Sequence, residues 1–183
     1  MITPVIPEGC VLEEALLLVG GASAVFSADR IYRYWLSRTW GSGDACATWV
    51  MLNPSIASAF ISDNTIRRIM AFTKAWGLDG LIVVNLYGLR GTDPRELRPH
   101  ADPVGPANDH FIAAAIQPES LVIAAWGAHP LAARRAGQVM AAITAAGVYP
   151  RSLGVTKAGC PRHPLFVRGD AKPRYFEMKR QAA

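Results

Sequence analysis

Apolar runs along the chain end repeatedly on residues able to hold or polarise a small molecule: Asn53-Pro54-Ser55, Asn85, Trp126-Gly127 and His163-Pro164. An amide such as that of Asn53 is not basic in water, but it can orient a water molecule by hydrogen bonding. Asn85 offers a donor and an acceptor together, which suits the edge of a pyrimidine. His163 can donate a hydrogen bond to an oxygen on which negative charge is growing, as in an oxyanion hole. Tyr87 or another aromatic such as Trp126 can stack on a ring, and Pro54 and Ser55 complete the set of candidate substrate contacts. Asp63 reads either as a helix cap or as a carboxylate placed near the Asn53 turn for catalysis or substrate contact. Arg90, Lys157 and Arg162 are candidates for phosphate. Each has a plainer reading: Asn53-Pro54-Ser55 as a turn, His163 as a surface or packing histidine. His129 reads as an N-cap, with His100 and His110 below it as functional candidates.

These residues need strands behind them. Ala47 to Leu52 is apolar apart from Thr48 and breaks at Asn53-Pro54. Pro54 fixes φ and lacks an N–H, so a strand ending there is stopped abruptly. Leu81 to Val84 is a second buried strand, Leu121 to Ala125 a third, and a weaker fourth lies near Val148 to Val155. Between them, Ile66, Ile69, Met70, Thr73 and Trp76 recur at helical spacing, with Gly77 as the stop. Asn108 reads as the cap of a second helix, and His129-Pro130 as the start of a third. Strand alternating with helix implies βαβ crossovers and a parallel sheet. The expected fold is a three-layer α/β/α domain with a mainly parallel sheet of about four strands. Such a sheet places its chemistry at the carboxyl edge, so Asn53, Asn85, Trp126 and His163 would line one cleft. Val25-Phe26 and Ile31 to Trp40 flank a turn near Ala28-Asp29 and read as an antiparallel hairpin at the sheet edge. Alternation puts Ile31, Arg33, Trp35 and Ser37 on one face, and Tyr32, Tyr34, Leu36 and Arg38 on the other. Residues 1–22 read as a leader with a short helix around Leu12 to Leu18 ended by Gly20-Gly21, 23–176 as a single α/β domain, and 177–183 as a basic tail.

The 183 residues suit one domain, and 51% apolar against 18% charged content marks a globular chain. The early apolar run Ala15 to Val19 is too short for a membrane span and lacks the basic flank of a signal peptide. Cys10, Cys46 and Cys160 are odd in number and without a C-x-x-C pair, which points to a reducing cytoplasm and no structural zinc. No spacing of His, Cys and Asp suggests a metal. Neither Gly-x-Gly-x-x-Gly nor a P-loop occurs, so dinucleotide or nucleoside triphosphate binding is disfavoured, and no cofactor is expected. Net charge is +5, with eight Lys or Arg from Arg151 onward against Asp170 and Glu177. That basic end favours phosphate-bearing partners, a nucleotide or nucleic acid.

The motifs LNPSIA, SDNTIRR, VVNLYGLR, AAWG, NDHFI and KAGCPRHPL together resemble a bacterial family catalogued as domain of unknown function 1643, over about Ser23 to Phe166. More distantly, the order of Asn53-Pro54, Asn85, Trp126-Gly127 and His163-Pro164 resembles the uracil-DNA glycosylase superfamily. That resemblance implies a water positioned at Asn53, a base edge read by Asn85, and a departing base supported by His163. The expectation is a glycosylase-like protein acting on or binding a nucleobase or nucleotide. As an enzyme it would be a metal-independent hydrolase of N-glycosidic bonds, in DNA or in a nucleotide. The alternative is a non-catalytic protein binding a nucleotide, a phosphorylated metabolite or nucleic acid.

Overall fold

In the computed structural model, which describes residues 4–16, 18–41 and 43–178, the chain runs β1 (Cys10–Leu16), β2 (Gly21–Ser27), β3 (Arg33–Thr39), β4 (Cys46–Met51), α1 (Asn64–Ala75), β5 (Gly80–Asn85), α2 (Asn108–Ala115), β6 (Leu121–Ala124), α3 (Ala132–Ala145), β7 (Arg151–Ser152) and β8 (Arg174–Tyr175). The strands form one sheet in the order β1-β2-β3-β5-β4-β6-β7-β8. Four neighbour pairings are antiparallel and three parallel. This mixed eight-stranded sheet overturns the expected mainly parallel sheet of about four strands and, with it, the uracil-DNA-glycosylase-like arrangement. The crossover signals between Ala47 and Val155 hold only for the run β5-β4-β6-β7. A three-stranded meander on one side and β8 on the other extend it with antiparallel strands.

Two local expectations fail for the same reason. The leader helix around Leu12 to Leu18 is absent where described: Cys10–Leu16 is β1, whose backbone pairs with β2 from Cys10↔Ser27 to Leu16↔Gly21. Gly20 makes the connecting turn, not a helix stop. Its φ is 85°, and a Cβ there would run into the Thr39 carbonyl. The β2–β3 hairpin consequently lies inside the sheet, between β1 and β5, not at its edge.

That hairpin is also irregular. Val25 faces Trp35 and Phe26 faces Arg33, so Tyr34 is an extra residue on β3. A bulge of this kind breaks the two-residue alternation and re-aims the side chains beyond it. Tyr34 is freed to stack on Phe111 of α2, with ring centroids 5.5 Å apart. Arg33, expected opposite Arg38, falls on the same face. Both guanidinium groups bond carbonyls of the loop that follows β4: Arg33 donates to Ala57 O and Arg38 to Ser58 O.

Helices cover both faces of the parallel run. Ile66, Ile69 and Phe72 of α1 pack on Trp49, Leu81 and Ile123. Trp49 stacks on Trp76 with centroids 5.5 Å apart and donates its indole N–H to Thr73 Oγ1 at 3.1 Å. On the other face, Phe111 of α2 and Val139 and Ile143 of α3 pack on Val50, Val84 and Val122. The chain leaves β4 through α1 on one face and crosses from β5 to β6 through α2 on the other. β4 is therefore the point where the strand order reverses and a crevice opens at the carboxyl edge.

Candidate functional site

The crevice is a cleft of about 710 Å³. Asn53 and Ser55 after β4, Asn85 at the end of β5, Trp126 and Gly127 after β6, and His163 after β7 all line it. Asp63 at the start of α1, Arg162 and His129 complete the sequence candidates on its wall. Two glycine-dependent features close it: Gly127 has φ 79°, and a Cβ there would sit 3.4 Å from the His163 Cβ. The third strand end can thus lie directly against the histidine.

Asn53 is fixed by its own amide nitrogen, which donates to Gly91 O at 2.8 Å and to Pro54 O at 3.3 Å. That assignment leaves Oδ1 as the end without a donor among the described residues, an acceptor for a water hydrogen. Asn85 is 1% exposed, and its Nδ2 is enclosed without a hydrogen-bond partner. A buried amide left unpaired costs roughly 1–3 kcal/mol, so an acceptor from a ligand in the cleft would offset a cost that no acceptor among the described residues offsets. The strand end carrying Asn85 is held by Asn108, whose Nδ2 donates to Asn85 O at 3.0 Å and to Leu86 O at 3.3 Å. Asn108 was expected to cap α2. It is the first helical residue instead, with Ala107 at the cap position and no side-chain cap bond.

His163 opens a short 3₁₀ turn, and its Nδ1 accepts from the Leu165 N–H at 3.4 Å. With Nδ1 as acceptor, the neutral ring carries its proton on Nε2. Burial lowers the His163 pKa below the ordinary histidine value, and the charge of Asp63 partly opposes this. Neutral imidazole with an Nε2–H donor is the resulting form at pH 7.

Asp63 caps α1, accepting from the Ile66 N–H at 2.8 Å through Oδ1. The cap reading of the sequence is thus met, and Oδ2 is left over on the cleft wall. Asp63→Ala is expected to lower stability by about 0.5–2 kcal/mol, whereas Asp63→Asn keeps a capping oxygen and stays within a few tenths of wild type. Urea denaturation of the two variants measures the difference.

Of the remaining candidates, His129 lines the cleft and the others lie off its wall. Tyr87 is buried, and its hydroxyl donates to Leu131 O at 2.7 Å. Pro54 is buried behind Asn53. Arg90 packs over the Phe26 ring and donates to Arg30 O, and Lys157 stands exposed in the turn after β7. His129 accepts from the Leu131 N–H through Nδ1 ahead of α3, which starts at Ala132, not at Pro130. Arg33 does line the cleft and was missed, since alternation alone cannot show a bulge. Among the described residues, no group of three or more His, Cys, Asp or Glu could hold a metal ion. No helix among them is long and apolar enough to cross a membrane.

Comparison with known proteins returns no match among curated proteins and none among solved structures. Residues 33–165, from Arg33 on β3 to Leu165 beside His163, match the family described as "Protein of unknown function (DUF1643)". The cleft is built almost wholly from that span, and the chain belongs to this family.

Proposed function

We propose that the cleft binds a nucleobase-bearing ligand and hydrolyses its N-glycosidic bond. The observation that carries this reading is the pairing of two oriented donors in one cleft: the enclosed, unpartnered Nδ2 of Asn85 and the Nε2–H of His163. An amide and an imidazole N–H in one cleft match the carbonyl and ring-nitrogen acceptors at the edge of a base. Opposite them, Asn53 Oδ1 holds a water by one of its hydrogens. The water oxygen attacks the anomeric carbon, the C–N bond breaks, and its electron pair leaves with the base. His163 Nε2–H donates to the base oxygen on which that charge gathers. The proton lost by the water passes to Asp63, the carboxylate among the residues lining the cleft.

Single-turnover assays for free base, run on nucleosides, nucleotides and oligonucleotides, test the reaction. Release of no base from any of them sinks it. Asn85→Ala is expected to relax discrimination between bases by about ten-fold, the scale of one buried hydrogen bond, with the rate on the preferred base falling and those on others little changed. Equal losses on every base would show that Asn85 does not read an edge.

The non-catalytic alternative draws on the weak basicity of Asn53. An amide in the water-holding position fits a cleft that binds and releases its ligand intact. Thermal-shift screening separates this case, since ligand at a hundred times its dissociation constant stabilises by about 2.7 kcal/mol whether or not it is turned over.

A further inference from the structure

A buried guanidinium group needs an anion or a full set of acceptors, because its charge is costly to remove from water. Three arginines are buried among the described residues: Arg33, Arg38 and Arg135. Arg135 donates to Leu86 O, to Gln138 Oε1 and to the Asp109 carboxylate. Arg38 donates to the carbonyls of Ser37, Ser58 and Ile61. Arg33 differs from both. It is 2% exposed, Nη1 donates to Ala57 O at 2.8 Å, and its Nε is enclosed with no partner. Among the described residues, Nη2 finds no acceptor and no carboxylate pairs with the group. Of the three, Arg33 alone lines the cleft.

The consequence is a charge on the cleft wall that the described protein groups leave incomplete. Burial pushes the Arg33 pKa down to about 9. Asp63 pulls it back up, and the like charges of Arg90 and Arg38 press it down further. The first turn of α1, Asn64 to Ile66, borders the same space and adds the partial positive charge of a helix N-terminus. The fold maintains this arrangement through the Tyr34 bulge, which turns Arg33 toward the loop after β4.

We infer that Arg33 is the anion anchor of this cleft and that its ligand is a free mononucleotide, whose terminal phosphate lies on Arg33 while its base reaches Asn85 and His163. Planar guanidinium groups suit phosphate oxygens in charge-assisted bonds. A terminal phosphate can descend to a side chain this enclosed, whereas a phosphodiester must leave the cleft on both sides. The choice of a nucleotide rests on the nucleobase reading above; the anion anchor does not.

The test compares wild type, Arg33→Gln and, as a control outside the cleft lining, Arg174→Gln on β8. Each is titrated calorimetrically with nucleosides and with their 5′-monophosphates, after circular dichroism has shown it folded, and heated with and without inorganic phosphate. In wild type and Arg174→Gln the monophosphate should bind at least about ten-fold tighter than its nucleoside, the worth of one charge-assisted bond. In Arg33→Gln that ratio should fall to about one, with nucleoside affinity little changed. Equal binding of nucleoside and monophosphate by wild type, or a ratio retained in folded Arg33→Gln, overturns the anchor. Because Arg33 also holds the loop at Ala57, Arg33→Gln can fail to fold. Crystals of the unmodified protein soaked with monophosphate then decide: phosphate on Arg33 supports the anchor, and phosphate elsewhere overturns it. Stabilisation of wild type but not Arg33→Gln by inorganic phosphate, with no nucleoside or nucleotide bound, keeps the anchor and removes the nucleobase. Tighter binding of an oligonucleotide than of any mononucleotide overturns the free-nucleotide ligand.

Discussion

Asn53→Ala is expected to slow single-turnover release of base by roughly 10²-fold or more, while ligand binding stays within a few-fold of wild type. The split follows from what each atom of Asn53 does. Its Nδ2 is spent on the Gly91 and Pro54 carbonyls, so only Oδ1 is left for a water. Losing that acceptor loses the water's placement and not the contacts that hold the base. Asn53→Asp sharpens the test. A carboxylate still accepts from water but cannot donate to Gly91 O, so the Gly91 turn should loosen even where the water is kept. If folded Asn53→Ala binds weakly and releases base at the wild-type rate once saturated, Asn53 is a wall of the cleft and the water is positioned elsewhere.

How legible the molecule is from its sequence depends on which signals are local. The ends of β4, β5 and β6 announce themselves through Asn53-Pro54, Asn85 and Trp126-Gly127, because a short apolar run that stops at a polar or glycine break marks the end of a buried strand. The cap at Asp63 and the stop at Gly77 are equally local. What escaped is pairing. Cys10–Leu16 has no strong period of its own and becomes a strand because β2 offers it a partner, which is tertiary context overriding propensity. Arg174–Tyr175 joins β7 for the same reason. Those two additions, together with the antiparallel pairing of β3 with β5, make the sheet mixed. The fourth strand, expected over Val148 to Val155, shrinks to Arg151–Ser152, since Pro150 and Gly154 bound it on both sides. The site suffered from the same blindness to pairing. Arg33 and Arg38 look like opposite faces of a strand, and only the register of Phe26 with Arg33 shows the bulge that unites them. Asn108 looks like a helix cap because its partner, the Asn85 carbonyl, lies 23 residues away.

His163→Ala is expected to cost about 2.7–4 kcal/mol in the chemical step, a loss of roughly 10²- to 10³-fold, if its Nε2–H stabilises the departing base. The variant can also disturb the turn, because Nδ1 accepts from the Leu165 N–H. A pH series separates the two contributions. Burial lowers the His163 pKa in the folded protein, so the unfolded chain, titrating near 6.5, takes up its proton at the higher pH. Stability from this group is therefore fully present above about pH 6.5 and is lost as the pH falls through the lower folded value. Protonation turns Nδ1 from acceptor to donor and breaks the Leu165 bond, so the rate should decline over the same acid range. His163→Ala should flatten the acid fall in stability and remove the matching limb of the rate profile. His163→Asn can restore an acceptor to the Leu165 N–H. It should recover stability at pH 7 without recovering the rate, unless its amide also reaches the base. A variant that unfolds like wild type at every pH, and releases base as fast, would take His163 out of the chemistry and leave Asn85 as the only oriented donor on the base.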